Sequence, residues 1–406
     1  MEGSPYLSED LFVEILARLP VQSLLRLRTV SKSWKTIIAG PKFCSFHLST
    51  NRHSSKILLA AKYPKQVSGR TYPVERYLLL DNHHHRPADS SCLSPLDFPF
   101  QYPLFTSPHI VASINGLICV SVRAANKVQP NIPFMLWNPT IRRHVCLPEI
   151  TLTKPNYSYT EFGYDPTTDD YKIVVLTAGI PEFNVYSLNS NAWRRGFLDH
   201  RIRLFSSTGA FAGGKMHWLV FKDFQNNTDY WLYSFDVATE VFAEVALPPK
   251  DRADTFIYPH VVTVLGDSLV VGQALKSKHV MFGMTWTIWE QIGAGGWKKL
   301  YRVEDPMAAF VCVLKNEEWV MDKIYFGCSD HGLAAYEPKA SEFKLLEPLS
   351  SFPQQRKFGD VASLNDHQQS LVLLDCTPLG DPHTCWSWSS CQVQIKRKTP
   401  SALGRN

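Results

Sequence analysis

Apolar residues near the start of the chain recur at the three- and four-residue spacing of helices. Ser8 is a good N-cap for a first helix, Pro20 ends or bends that helix, and Gly40-Pro41 stops the last one. The pattern therefore predicts three short helices within residues 6–40. Their apolar positions are Leu11, Ile15, Leu16 and Leu19, then Leu24, Leu25 and Leu27, then Val30, Trp34, Ile37 and Ile38.

A module of about forty residues buries too little apolar surface to be stable by itself. We therefore expect it to share its core either with the following domain or with a partner protein. Its charges are sorted along the chain, because residues 15–50 contain six Lys or Arg and no acid. A basic face beside an apolar one suits an acidic partner.

From Lys56 onward the helical spacing disappears, and runs of β-branched and aromatic residues alternate with Gly, Pro, Asn and Asp turns. This pattern is typical of an all-β architecture. One hairpin signature, an aromatic residue followed by a polar turn and a second apolar run, recurs with spacings of 49, 49, 54 and 47 residues. Such a period is typical of a propeller blade of the kelch size. The aromatic residues, which we predict to be blade core, are Trp137, Tyr186, Phe235, Trp289 and Tyr336.

Each copy of the signature also has a second hairpin upstream, so that one unit contains four strands. Five complete units fit between residues 108 and 347. The remaining segments, residues 57–98 and 358–396, look like halves of a sixth, and combining strands from both chain ends would leave no open sheet edge. We therefore expect six blades. A seventh blade built from residues 358–396 alone is the alternative, although that segment is short of strands.

The length of 406 residues suffices for the helical module at residues 1–50 and a large β domain at 51–398, with a tail at 399–406. The net charge of +5 is mild and gives no reason to expect nucleic-acid binding. The polar N-terminus is unlike a signal peptide, and no apolar run approaches the roughly 18 residues of a membrane span. Nine cysteines, an odd number without close pairs, favour reduced thiols. We therefore expect a cytoplasmic or nuclear protein with no membrane contact.

Sequence signatures of catalysis are missing: the chain has no G-x-S-x-G elbow, no Walker loop, no H-E-x-x-H helix and no C-x-x-C pair. The run from His83 to His85 could in principle bind a metal, but consecutive residues on a surface loop rarely converge on one ion. Cys376, Cys385 and Cys391 have spacings of 9 and 6, which match no common zinc site. We therefore expect no catalytic residue, no metal site and no cofactor.

Residues that carry function should break the repeat instead of following it. In a four-stranded blade, the loops between the second and third strands and the links between blades leave the ring on the same face. Loops on a rigid scaffold are where binding usually occurs. The binding residues that this argument predicts are Lys127, Glu182, Phe224, Gln225, Tyr258, Lys278 and His331.

The N-terminal pattern resembles an F-box, the helical module that docks onto the Skp-type adaptor of cullin-RING ubiquitin ligases. The Leu-Pro pair at 19–20 and the Lys-Ser-Trp-Lys at 32–35 come in the family's order and spacing. The chain departs from the family at Ser8, Leu27 and Ser31, where Pro, Phe and Cys are common, and none of these changes removes an apolar anchor. The resemblance implies adaptor contacts by Leu7, Leu11, Ile15, Leu16, Leu19, Pro20, Leu24, Leu25, Val30 and Trp34.

The following region resembles the F-box-associated domain of a large plant family, which has kelch-like repeats. The features that carry this resemblance are Trp137-Asn-Pro, Gly163-Tyr-Asp-Pro and Tyr336-Glu-Pro. Together the two resemblances imply a small all-α F-box followed by an all-β, kelch-like β-propeller.

The same resemblances imply a function, that of the substrate-recognition subunit of an SCF-type ubiquitin ligase. Such a subunit binds a Skp-type adaptor, and through it cullin and RING proteins, and holds a protein target for ubiquitination and degradation. It catalyses no reaction itself, and its contribution is proximity. Two alternatives stay open: a non-degradative module that binds a protein or a glycan, and a propeller enzyme, which would need acids or histidines lining the central channel.

Overall fold

The computed structural model describes the N-terminal helices and most strands of the following domain. The described residues are 8–51, 55–67, 70–81, 93–96, 98, 106–124, 131–153, 158–198, 203–204, 209–221, 230–249, 256–276, 284–293, 295–305, 308–314, 323–328, 332–337, 342–345 and 361–373. Among these residues, helices occur only before residue 51 and strands only after residue 54.

The described part of the helical module contains four helices, α1 (Glu9–Ala17), α2 (Val21–Leu27), α3 (Lys32–Ala39) and α4 (Pro41–Thr50). Ser8 caps α1, since its hydroxyl accepts a hydrogen bond from the Leu11 amide at 3.4 Å. Ser31 caps α3 in the same way, accepting from the Trp34 amide at 3.1 Å. The three predicted helices are present as α1 to α3, but the prediction that the module contains only three is wrong. Pro41 occupies the first turn of a fourth helix, where its fixed φ is favourable and its missing N–H leaves no bond unmade.

The helices pack around a core that also includes a residue from the far end of the chain. Leu371 is 1% exposed and belongs to this cluster. Of the two expected alternatives, a core shared with the following domain or with a partner protein, the structure shows the first. The buried helical residues of the cluster are Leu16, Ala17, Val21, Leu24, Ile38 and Phe43.

The described strands form six antiparallel sheets of four or five strands and one separate strand pair. The sheet that joins the chain ends contains β1 (Ser55–Val67), β2 (Arg70–Asp81), β3 (Leu93–Pro95) and β27 (Val361–Gln368). The next contains β4 (Thr106–Ile114), β5 (Leu117–Ala124), β7 (Phe134–Asn138) and β8 (Arg143–Cys146). The separate pair is β6 (Asn131–Ile132) with β9 (Ile150–Thr151).

The other four sheets follow in chain order. The first of them contains β10 (Ser158–Asp165), β11 (Asp170–Thr177), β12 (Glu182–Ser187) and β13 (Ala192–Phe197). The second contains β14 (Arg203–Leu204), β15 (Ala210–Ala212), β16 (Lys215–Phe221), β17 (Tyr230–Asp236) and β18 (Phe242–Val245). The third contains β19 (Phe256–Leu265), β20 (Ser268–Lys276), β21 (Met284–Ile292) and β22 (Gly296–Asp305). The last contains β23 (Ala308–Leu314), β24 (Lys323–Cys328), β25 (Gly332–Glu337) and β26 (Glu342–Leu345).

The repeated aromatic residues occupy equivalent places in five of these sheets. Each lies in the third strand along the order of its sheet and is less than 10% exposed. The prediction that they are core residues is confirmed. They are Trp137 in β7, Tyr186 in β12, Phe235 in β17, Trp289 in β21 and Tyr336 in β25.

The inner strands of the sheets pack against one another in chain order. β4 contacts β10, β10 contacts β15, β15 contacts β19, and β19 contacts β23. β23 then contacts β27, and β27 contacts β4, so the described inner strands complete a circle of contacts.

The two ends of the chain share one sheet. β27 pairs with β1 in antiparallel register, with Gln368 opposite Ser55 and Leu364 opposite Leu59. The prediction that strands from both ends combine is confirmed, with one described strand from the C-terminal part. This pairing satisfies backbone groups of β1 that would otherwise form an open edge. The rest of the predicted C-terminal contribution, residues 374–396, lies outside the described residues.

The Gly163-Tyr-Asp-Pro feature ties two neighbouring sheets together. Asp165 accepts hydrogen bonds from Thr167 and Thr168. Burial alone would raise the pKa of Asp165, but these bonds and the nearby Lys172 lower it to about 2. The Lys172 ammonium also donates to the Val237 carbonyl at 2.6 Å in the next sheet's hairpin. A buried cation is stable only with such partners.

Antiparallel pairing places the β4–β5 and β7–β8 turns at one end of their sheet and the β5–β7 connection at the other. Asn115-Gly116 forms a tight turn between β4 and β5, and residues 139–142 form another between β7 and β8. The helical module contacts this end, because Gln22 Nε2 donates to Thr140 O at 3.2 Å. We call it the turn face. The opposite end, where Glu182 begins β12, is called the loop face.

Replacing Gly116 should destabilise the protein more than replacing Gly266. Both have positive φ, 76° and 61°, so alanine costs about 1–2 kcal/mol of backbone strain at either position. A Cβ on Gly116 would also lie 2.4 Å from Ser370 Oγ and 2.5 Å from Gln368 O, whereas a Cβ on Gly266 meets no atom within 4 Å among the described residues. Urea denaturation of Gly116→Ala and Gly266→Ala measures the difference. Equal losses of unfolding free energy would contradict this account.

Candidate functional site

The helical module exposes apolar side chains on the outer side of α1. Leu11 and Ile15 are one helical turn apart and are 52% and 48% exposed. Val30, after α2, is 63% exposed, and Pro20 is exposed as well. These four predicted adaptor contacts are therefore accessible. Leu7, the first predicted contact, lies outside the described residues.

The remaining predicted contacts hold the module together. Leu19, Leu25 and Trp34 are half-buried at the edge of its core. Leu16 and Leu24 are 2% and 0% exposed, so a partner cannot reach them in this conformation. One residue of α-helix turns a side chain by about 100°, which is enough to move position 16 from the exposed side of α1 into the core. Leu16 and Leu24 therefore support the core of the module, and their direct contact with an adaptor stays a prediction.

The fourth helix adds an exposed aromatic residue that sequence reasoning missed. Phe46 is 42% exposed, and the exposed Lys42 lies one turn before it. The available signal was Pro41, since proline is favoured at the start of a helix as well as after its end.

Five of the six basic side chains of residues 15–50 lie on the surface of the module. Because residues 15–50 contain no acid, their positive charge is not neutralised within the segment. The surface that carries Leu11 and Ile15 therefore belongs to a basic module, which suits an acidic partner. The exposed basic residues are Arg18, Arg26, Lys32, Lys35 and Lys42.

The module is attached to the propeller by apolar and polar contacts. Ile141, in the turn after β7, packs against the helical core together with Leu371. Gln368 Nε2 donates to the Leu48 carbonyl of α4 at 2.6 Å. The helical module therefore has contacts with both the β7–β8 turn and the end of β27.

Asn138 organises the turn that meets the module. Its side chain is buried, and its Nδ2 donates to Ser370 O at 3.0 Å and Val372 O at 2.9 Å. Its Oδ1 accepts from the Thr140 amide at 3.0 Å. Sequence reasoning treated Trp137-Asn-Pro as part of the blade repeat, and no local signal shows that Asn138 binds residues more than 230 positions away.

Two of the seven predicted binding residues of the loops lie among the described residues. Glu182 is 8% exposed, and its Oε1 lies 3.3 Å from Arg195 Nε. Tyr258 lies in β19. The others, which lie outside the described residues, are Lys127, Phe224, Gln225, Lys278 and His331.

Phe197 is an exposed apolar residue at the loop face. It pairs with Glu182 in the register of β12 and β13 and is 71% exposed. Gly196 leaves space beside it for the Phe183 ring, since a Cβ there would lie 2.2 Å from that ring. Phe197 does not fit the repeat, and the alternation of β13 alone does not show that its side chain is exposed.

Glu161 is a buried acid on an inner strand of the ring. Glu161 of β10 is 3% exposed, and its Oε1 accepts from the Phe162 amide at 3.2 Å. Burial raises the pKa of Glu161 to about 8, and the Phe162 bond only partly opposes this. The carboxyl group is therefore largely neutral in the fold at neutral pH.

A serine and a histidine also form a buried pair. Ser234 Oγ and His217 Nδ1 are 2.6 Å apart, and His217 Nε2 lies 3.3 Å from Ala212 O. Since only a protonated Nε2 can bond to a carbonyl, Ser234 donates to Nδ1. Burial lowers the pKa of His217 to about 4. Because both side chains are at most 3% exposed, a substrate cannot reach this pair in this conformation.

Within the described ranges, no three His, Cys, Asp or Glu side chains are grouped so that they could hold a metal ion. The helices described here include none that is long and apolar enough to span a membrane. Cys146 is disulfide-bonded, whereas Cys44 and Cys119 are thiols. The prediction of reduced thiols is therefore wrong for Cys146, because sequence spacing does not show which cysteines the fold brings together.

Glu161→Gln should change how stability depends on pH. The pKa of Glu161 is higher in the fold than its ordinary value of 4.5, so the native state retains a proton that the unfolded chain releases. The native protein should therefore lose stability relative to the variant as pH rises from 4.5 towards about 8, by at most about 1.4 kcal/mol per pH unit. Urea denaturation of both proteins across this interval measures the effect. Parallel pH profiles would show that the Glu161 carboxyl is solvated.

Comparison with known families gives two matches. Residues 5–46 match the F-box domain, and residues 75–261 match the F-box associated beta propeller domain. The first match covers α1 to α3 and the first part of α4, and the second begins within β2 and ends within β19.

The relatives are plant proteins. The putative F-box protein At1g47790 of Arabidopsis thaliana is 30% identical over 251 residues, which are 59% of this chain and 58% of the relative. The putative F-box protein At3g16210 of the same plant is 25% identical over 62% of this chain and 63% of its own length. The Arabidopsis F-box protein DOR is 26% identical over 59% of this chain and 60% of its own length. The chain thus matches about six tenths of the length of these relatives.

Solved structures are more distant. TolB from Acinetobacter baumannii aligns with 81% of this chain and 73% of its own at 9% identity and a TM-score of 0.44. This similarity is too low to support a conclusion about function.

Proposed function

Since the chain carries an F-box domain and an F-box-associated β-propeller domain, and its homologues are Arabidopsis F-box proteins, we propose that it is the substrate-recognition subunit of an SCF-type ubiquitin ligase. The F-box binds a Skp-type adaptor, and through it cullin and RING proteins. The propeller holds a protein target for ubiquitination and degradation. The chain itself is not catalytic, and it acts by raising the concentration of the target at the conjugating enzyme.

The exposure of Leu11 and Ile15 is the observation that carries the adaptor proposal. In a module this small, most apolar side chains are needed for the core, yet these two are about half exposed on one side of α1. Their burial against a partner would remove apolar surface from water and so favour binding. The exposed basic residues of α2 to α4 add attraction to an acidic adaptor.

The propeller is proposed to have six blades. Six sheets and a circle of contacts between their inner strands support this count. We assign residues 1–50 to the F-box, 51–398 to the propeller and 399–406 to a tail. The F-box contacts the turn face, so the loop face is left for the target, and Phe197 is the exposed apolar residue that supports this choice.

This division of faces suits a receptor. An adaptor bound to the F-box and a target bound at the loop face would lie at opposite ends of the ring and would not compete for the same surface. We propose that the protein works in the cytoplasm or the nucleus, without membrane or nucleic-acid contact, and that it requires no metal or cofactor.

Acidic substitutions on α1 should abolish adaptor binding without unfolding the chain. Leu11→Asp and Ile15→Asp place a charge on an exposed side, where the free protein tolerates it but an apolar interface does not. Leu19 is unsuitable for this test, because it is half-buried in the core of the module. Co-expression with a Skp-type adaptor followed by size-exclusion chromatography measures the complex, which we expect at one to one for the native chain and not for either variant.

Val241→Asp is the matched control, since Val241 is an exposed aliphatic residue of the propeller at 59%. It should bind the adaptor like the native chain. If Leu11→Asp and Ile15→Asp still form the complex, the assignment of the interface to α1 is wrong.

Ubiquitination of a captured target in a reconstituted ligase tests the second half of the proposal. Proteins recovered with the native chain and with Ile15→Asp are the candidate targets. We expect their ubiquitination to require the native chain, because the variant cannot bring them to the enzyme. Targets that bind both proteins equally but are never ubiquitinated would instead favour a non-degradative binding module.

A further inference from the structure

The segment that ends β27 lies between the F-box and the propeller. We call residues 367–373 the closing segment. Leu371, at 1% exposure, is part of the F-box core, whereas Leu373, at 6%, packs in a propeller core with Leu136 and Phe162. Two leucines two positions apart thus enter two different hydrophobic cores.

Polar contacts hold the closing segment against both the F-box and the propeller. Gln368 donates to Leu48 O of α4 at 2.6 Å. His367 Nδ1 and Ser113 Oγ of β4 are 2.8 Å apart. Asn138 donates to the Ser370 and Val372 carbonyls. The segment therefore cannot leave the propeller without breaking contacts to the F-box as well.

The closing segment lies far from the F-box along the chain. The F-box helices end at Thr50, and Leu371 lies more than 300 residues later. The F-box core lacks one of its buried residues until Leu371, which directly follows the β27–β1 pairing, is in place. A core that lacks a buried leucine is less stable, and the module is too small to have much stability in reserve.

We propose that ring closure and completion of the F-box core are one cooperative event, and that the closing segment thereby makes the adaptor-binding surface dependent on a closed propeller. A chain with an open ring then has a destabilised F-box and binds the adaptor weakly, although no residue of the closing segment belongs to the proposed adaptor surface. The link to the adaptor rests on the proposed function, whereas the link between F-box and ring does not.

Hydrogen exchange of the full-length chain tests the link between F-box and ring. Leu371→Ala and Leu373→Ala remove the same atoms from neighbouring positions of one segment. Leu371→Ala should raise the exchange rate of the amides of α1 and α4 by about tenfold or more relative to the native chain. Leu373→Ala weakens the ring side of the same segment and should raise exchange in β5, β7 and β11 and, because the two cores are coupled, in α1 and α4 as well.

Gln368→Ala provides a milder variant in case Leu371→Ala does not fold. It removes one hydrogen bond to α4 and should raise helix exchange in the same direction by a smaller factor. Helix exchange that stays at the native rate in both folded variants would overturn the proposal. So would an increase in α1 exchange with Leu371→Ala that leaves β27 and β1 at the native rate, because the helices would then open without the ring.

Adaptor binding tests the consequence for function. By thermodynamic linkage, if the closed ring strengthens adaptor binding, the bound adaptor must equally stabilise the closed ring. Leu371→Ala should weaken binding of a Skp-type adaptor, and the bound adaptor should slow amide exchange in β27 of the native chain. An adaptor that binds the native chain and Leu371→Ala equally, with unchanged exchange in β27, would overturn this consequence. If the native chain binds no adaptor, the proposed function fails, while the exchange data still decide whether F-box and ring are coupled.

Discussion

The pairing of β27 with β1 is the contact on which the rest of the structure depends. It joins segments about 300 residues apart in the chain, with Gln368 opposite Ser55. Without it, β1 would expose an edge of unpaired backbone groups, and β23 and β4 would each lose their contact with β27. Contacts of such high sequence separation form late in folding, because the entropy of closing the chain must be overcome before they contribute. The contacts that complete the circle of sheets therefore all involve β27.

Buried polar groups help to set the position of each sheet relative to its neighbour, because apolar packing is less directional. Lys172 donates to the Val237 carbonyl in the next sheet, and its ammonium lies 3.0 Å from a Glu240 carboxyl oxygen. Asn138, in the second sheet, donates to the Ser370 and Val372 carbonyls of the closing segment. Such groups are stable only when their partners are correctly placed, so they favour one arrangement of neighbouring sheets over others. The same requirement explains why the closing segment has a defined position relative to the F-box.

The turn face and the loop face follow from this construction. The tight turn at Asn115-Gly116, where both residues have positive φ, allows close approach of the closing segment. The β5–β7 connection leaves from the other end of the same sheet. The proposed adaptor and target sites would then lie at opposite ends of the ring.

Much of the fold could be predicted from the sequence, because the spacing of apolar residues within an element does not depend on which other elements it packs against. The spacing of Trp137 and its four counterparts identified the sheets, and the unpaired runs at both chain ends identified the closing pair. A local resemblance was also enough to find the F-box. The fourth helix was missed because a proline marks the start of a helix as readily as its end.

What the tertiary structure alone decided is which apolar and polar side chains face each other. Ile15 and Leu16 read alike in the sequence, yet one is exposed and the other is in the core. Asn138 and Leu371 carry no local signal of their roles, since both act on residues more than 200 positions away. The sequence determines the local period of each element, whereas the direction of each side chain toward core, partner or solvent depends on packing between elements that are distant along the chain.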